Sequence, residues 1–157
     1  MSSPSFPDPV ARLLAVHAET RRHLQALAAG QASASPAAIA WIDGPARGAH
    51  DILERRLFPA LIESMAGSDA VCLKGMTGGL ARGRADLDRR WRQAVRPALE
   101  GPADPAAQGA LAAWTGDYLA WLARADEELL PMAARLLDDA ALDELAADCA
   151  RLGAGAR

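Results

Sequence analysis

The chain is cut into long helical lengths by its own punctuation, and this limits its possible folds more than any other feature. "DPV" at residues 8–10 offers Asp8 as a helix N-cap with Pro9 in the first turn, and Gly30 follows the last leucine of the run. "SASP" repeats the signal, with Ser35 as cap and Pro36 as start, and "AGS" at 66–68 closes that segment. Ser68 and Asp69 open a third segment, which "EGPADP" closes at 100–105. Asp104 and Pro105 cap a fourth, expected to reach about Leu137, and a short fifth piece, "DAALDELAADCARL", precedes "GAGAR". Long amphipathic helices with short connections predict an all-α fold: an antiparallel up-down-up-down four-helix bundle with a short C-terminal helix. A single domain over residues 1–157 is expected, with 1–7 and 153–157 as frayed tails. Two blemishes interrupt the pattern. "DGP" at 43–45 predicts a kink or local break in the second helix, and "GMTGG" at 75–79 should weaken the third.

Composition agrees with helices. Apolar residues make up 51% of 157, and alanine, leucine, arginine and the acids outnumber the β-branched and aromatic residues. A formal charge of −3 gives no electrostatic reason to expect nucleic acid or an anionic membrane as partner. The N-terminus has no basic region leading into an apolar run, and no stretch approaches 18 uncharged apolar residues, so neither a signal peptide nor a membrane span is expected. Cys72 and Cys149 lack the spacing of a metal or redox motif, and a cytoplasmic protein with reduced thiols is expected.

Helical phase then sorts the polar residues. The first stripe reads Leu13, His17, Thr20, Leu24, Leu27, with His23 at its edge. The second reads Ile39, His50, Glu54, Leu57, Leu61, and the third carries Arg84 where a leucine belongs. The fourth runs Trp114, Tyr118, Trp121, Ala125, Leu129, with Asp126 at its flank. His17, His50, Glu54 and Arg84 are therefore expected to converge on one axis, with Asp126 a fifth member. An unpaired polar group in a core costs several kcal/mol, so such residues should cluster and satisfy one another. Imidazoles and carboxylates projecting inward from facing helices are also how bundles hold iron, manganese or zinc. No nucleophile, base and orienting partner can be assembled, so no enzyme is expected. "GMTGGLARGR" has neither a phosphate-loop spacing nor a strand before it.

Several stretches together resemble the bacterial hemerythrin-like family, helical domains that carry the HHE cation-binding motif. "LLAVHAETRRHLQAL" resembles its first-helix segment, and "AHDILERRLFPAL" its histidine-and-acid segment ending in Leu-Phe-Pro. "LARGRADLDRRW" and "YLAWLARADEELLPMAARLLDD" resemble the third and fourth. The resemblance covers nearly the whole chain and implies a bundle around a non-haem di-iron centre, used to bind dioxygen or to sense or handle oxygen and iron. It also implies that His17, His50 and Glu54 stand at ligand positions. An alternative register would put Ala49 and Leu53 there instead. The expected third-helix histidine falls on Arg84, and the fourth-helix histidine and acid fall on Trp121 and Ala125, with Asp126 beside them. Arginine, tryptophan and alanine offer a metal no lone pair.

What this implies is a hemerythrin-like domain that has largely lost its di-iron site. It would act as a non-catalytic binding or regulatory module, by itself, by self-association or with a protein partner, and hold no cofactor. Arg84 would replace the cation by pairing with a buried Glu54, and Trp121 would fill the vacated volume. The alternative is a single divalent ion, iron first, on His17, His50 and Glu54 with Asp126.

Overall fold

A computed structural model describes residues 8–31 and 34–154. The expected tail at 1–7 and the last three residues lie outside that range, but helix runs through Ala154, further than expected. Among the described residues the chain forms five helical lengths and no strand. These are α1 (Pro9–Ala28), α2 (residues 35–64), α3 (68–100), α4 (105–136) and α5 (Asp139–Ala154). Helix α1 packs on α4, on the start of α2 and on α5. Helix α3 packs on α4, and α2 and α3 run antiparallel, the start of each against the end of the other. Helix α5 lies over α1 and the middle of α2.

Most of the punctuation acts as expected. Asp8 accepts from the Val10 N–H and Asp104 from the Ala106 N–H, each just ahead of a proline. Gly30 takes φ +74° and Gly67 φ +63°, a left-handed backbone that favours glycine, at the two turns where the chain leaves one helix for the next. Ser35 is not a cap. It is the first helical residue, and Ala34 occupies the cap position without a side-chain bond.

Neither blemish breaks its helix. Residues 68–90 are one continuous α-helix through all the glycines. At "DGP" helix α2 widens into a π turn, Ile42–Ala46, and continues. Three more π turns occur, at Leu53–Leu57, Trp91–Val95 and Ala125–Leu129, and each lies just ahead of a proline: Pro59, Pro97 and Pro131. A helix-interior proline lacks an N–H, and its ring crowds the carbonyl four residues back. The helix responds by reaching one residue further. Phe58 N–H bonds Leu53 O, Arg96 N–H bonds Trp91 O, and Leu130 N–H bonds Ala125 O.

The core is built from leucines of all five helices (Leu13, Leu24, Leu57, Leu80, Leu122 and Leu145 among them), with Cys149 of α5. All four indole N–H groups are satisfied, and each bond crosses between helices. Trp41 donates to Thr20 Oγ1 at 2.9 Å, Trp91 to Asp43 at 2.8 Å, Trp114 to Leu87 O at 3.0 Å and Trp121 to Leu80 O at 2.8 Å. The two bonds from α4 land on the face of α3 where Gly83 sits. A Cβ at Gly83 would stand 3.1 Å from Trp121 Cδ1, whereas Gly79 has nothing within 4 Å. Trp121 is pinned by its own hydrogen bond and cannot give way easily. Gly79→Ala is therefore expected to stabilise the protein by roughly 0.5–1 kcal/mol. Gly83→Ala should instead destabilise it by about 1–3 kcal/mol. Urea midpoints of the two variants, moving in opposite directions, check this.

Candidate functional site

The polar residues of the interior separate into two layers rather than one cluster. His17 on α1 and His50 on α2 are buried, with ring centroids 5.6 Å apart, and both rings pack against Trp121 of α4, at 6.3 and 4.5 Å. These two imidazoles are the inner layer. Trp121, which the resemblance sets where a fourth-helix histidine would stand, lies edge-on to both rings.

Each imidazole is held through one nitrogen only. His17 Nδ1 meets Asp126 Oδ1 at 2.5 Å, and Arg21 Nη2 meets Asp126 Oδ2 at 2.5 Å. Burial pushes the Asp126 carboxyl up, but the hydrogen bonds and charges of His17 and Arg21 outweigh that and hold it below the usual carboxylate range. An ionised Asp126 accepts a hydrogen bond from His17 Nδ1–H. His50 Nε2 meets the Tyr118 hydroxyl at 2.5 Å. The remaining nitrogens, His17 Nε2 and His50 Nδ1, are buried and have no hydrogen-bond partner.

Arg84 and Glu54 form the outer layer. Arg84 pairs with Asp51 at 2.8 Å and with Glu54 at 3.2 Å, so the expected Arg84–Glu54 pair is formed. It lies at the flank, however, and not on the axis. Arg84 is 16% exposed, Glu54 31% and Asp51 39%. The inward positions of α2 are Ala49, His50, Leu53 and Leu57, all buried. The core stripe runs from His50 through Leu53 to Leu57, a spacing of three then four, where the expected stripe had Glu54 in place of Leu53. Glu54 falls on the flank with Asp51 three residues back, which is why one guanidinium reaches both.

Two partners escaped the sequence reading. Tyr118 counted only as core, although it stands three residues before Trp121 on the inner face of α4. Arg21 follows His17 by one turn, a spacing that puts both on the side of α1 facing Asp126. Asp126 is the hydrogen-bond partner of His17 rather than a marginal ligand. His23, expected at the edge, stacks on Trp41 at 5.5 Å and lies 3.6 Å from Glu19, away from the other two histidines.

Among the described residues no group of three or more His, Cys, Asp or Glu side chains is arranged to hold a metal ion. Among the described residues, two buried imidazole nitrogens, His17 Nε2 and His50 Nδ1, have no hydrogen-bond partner. Cys72 is exposed and Cys149 buried, both as free thiols, and burial raises the Cys149 thiol to about 11. No described helix is long and apolar enough to cross a membrane. Comparisons with protein-family models, with curated proteins and with solved structures return no match to this chain.

Two outcomes follow from the geometry. Removing Arg84 strands no buried charge, because both carboxylates reach solvent. Arg84→Ala is therefore expected to cost about 1 kcal/mol by urea unfolding, against the roughly 3–5 kcal/mol that breaking a fully buried pair would cost. The second concerns acid. Burial, reinforced by the charges of His17 and Arg84, holds His50 well below the usual imidazole range. The unfolded chain then binds a proton near pH 6.5 that the folded one refuses, so this contribution is complete above that pH and is lost as pH falls below it. Stability should decline from about pH 7 towards pH 5. A His50→Asn variant, read by the same denaturation, should show a flatter decline over that range.

Proposed function

We propose that this chain is a hemerythrin-like up-and-down four-helix bundle whose di-iron site has been given over to protein side chains. It works as a non-catalytic binding or regulatory module in the cytoplasm, alone, by self-association or with a protein partner. One observation carries the reading. Arg84, at the place of the family's third-helix ligand, is a fixed cation committed to Glu54, the one carboxylate at a ligand position on α2. A guanidinium beside a site disfavours a metal cation there and compensates the carboxylate that the metal would otherwise neutralise. Trp121 and Ala125 support it from α4, one packed on His50 and the other fully buried without a donor. The resemblance itself rests on the sequence motifs, and the all-helical fold is compatible with it.

A second reading is favoured by the two uncommitted nitrogens, His17 Nε2 and His50 Nδ1. Metal-ligating histidines are commonly held through the opposite nitrogen by a carboxylate or hydroxyl, as Asp126 and Tyr118 hold these. Glu54 turned away from Arg84 would complete a three-ligand site for one divalent ion, iron first.

Elemental analysis decides between them. Protein expressed in iron-supplemented medium and purified without chelator or metal-affinity resin should contain well below one metal per chain and show no visible absorption in air. About one ion per chain, lost in a His17→Ala variant that still folds, would establish the second reading. Two irons with an oxo-bridge band would overturn the first.

A further inference from the structure

A groove runs between α2 and α5, and we propose that it binds a dianionic phosphate group, free or carried by a small monoester. Its lining shares no residue with the interior site, so the inference is independent of what that site holds. The groove's free volume is about 330 Å³, some twenty times the ~10–15 Å³ that one water needs. That is room for a phosphate and a short organic tail.

Surplus positive charge carries the inference. Arg55 and Arg56 line the groove from α2 and Arg151 from α5, and the one carboxylate in the lining is Asp148. Both oxygens of Asp148 are committed. Arg56 Nε donates to Oδ2 at 2.5 Å, and Arg151 Nη1 to Oδ1 at 3.4 Å. Arg55 makes no ion pair among the described residues, and its Nε reaches only the Asp51 carbonyl, at 3.5 Å. Three guanidiniums against one carboxylate give the lining two surplus positive charges, which a dianion matches. Glu144, 68% exposed and outside the lining, pairs with Arg56 at 3.4 Å. It offsets part of the surplus from the rim and still leaves Arg55 without a counter-charge.

The donors also fix the ligand class. Each guanidinium offers five N–H groups in a planar fork, and the bonds just described leave most of them free. A planar carboxylate engages one fork well, whereas the tetrahedral oxygens of a phosphate can meet forks arriving from two helices. Asp148 already holds Arg56 and Arg151 in place, which lowers the entropic cost of seating an anion between them. The floor is apolar, formed by Ile52, Gly48 and Leu152. Leu152 lies so close over Gly48 that a Cβ there would stand 2.7 Å from its Cδ2. An anion bridging Arg55 to Arg151 would tie the last helix to the bundle. Cys149, on the buried face of α5 and 2% exposed, reports whether that helix lifts.

Phenyl phosphate and inorganic phosphate are the probes, titrated calorimetrically into the full-length protein, with sodium chloride at matched ionic strength as the control. One saturable site per chain is expected in the millimolar range or tighter, absent with chloride. Tighter binding of phenyl phosphate assigns a monoester, and equal binding assigns the free ion. Arg55→Gln and Arg151→Gln should each weaken binding at least about fivefold, whereas Arg92→Gln, the same charge change on α3, should not. In a Cys72→Ser background, phosphate at ten times its Kd should slow alkylation of Cys149 about tenfold. No saturable response beyond that to chloride would overturn the proposal. So would unchanged binding in Arg55→Gln and Arg151→Gln, or an equal loss in Arg92→Gln, each variant confirmed folded by circular dichroism. Binding that leaves the Cys149 rate unchanged would place the anion elsewhere and overturn the groove as its site.

Discussion

Helices α2 and α4 each carry a proline inside a length that the core needs unbroken, α3 carries one in its last turn, and the rest of the structure follows from how the backbone meets that constraint. Breaking at Pro59 or Pro131 would leave carbonyls and N–H groups unpaired against a packed interior, at a cost of kcal/mol per group. Widening by one residue keeps the ladder. The three proline-linked turns share a pattern. First and fifth residues are buried: Leu53 and Leu57, Trp91 and Val95, Ala125 and Leu129. The second is charged and lies outside the core: Glu54, Arg92 and Asp126. A five-residue turn brings its ends to the same face and lifts the residue after the first onto the flank. Asp126 reaches His17 and Arg21, and Glu54 reaches Arg84, from these positions.

The same geometry explains which features were legible in the sequence. Helix boundaries that depend on local chemistry (an aspartate before a proline, a glycine after the last leucine) could be read to within a residue or two at most ends. The first helix, with no interior proline, showed its inward residues correctly from Leu13 to Leu27. On α2 a uniform 100° step placed His50, Leu57 and Leu61 inward correctly, but it put Glu54 there as well, where the buried residue is Leu53. The motif and its separation of four residues were visible, but the face it occupies depends on where the backbone widens and on what it packs against. The partners of the imidazoles were harder still. Asp126 and Tyr118 lie 109 and 68 residues from the histidines they hold, and only the packing of α4 on its neighbours brings them together.

Charge is distributed by the same rule of depth. The two buried imidazoles, His17 and His50, are held by one hydrogen bond each, and burial keeps His50 in its neutral form. Formal charges stop one layer further out, where Arg21–Asp126, Arg84–Asp51–Glu54 and Arg47–Asp88 link helices while retaining contact with solvent. All but one of the chain's 17 basic residues are arginine. A planar fork can bridge two carboxylates on neighbouring turns, as Arg84 does, and loses less freedom per bond than a flexible ammonium.

These layers give the interior an unusual remainder. A core of leucine and tryptophan could have dispensed with both imidazoles, since replacing buried polar groups by apolar ones of similar size is often neutral or stabilising. Instead the protein retains two rings, each fixed at one nitrogen by a second helix and each uncommitted at the other. Such an arrangement forgoes stability at one spot, and structures keep that kind of local cost where a ligand or ion repays it. The donors of Arg47, Arg84 and Tyr118 gather on the same side as His50, while Asp126 and Arg21 close the side of His17. The asymmetry marks the α2–α3–α4 side as the open one.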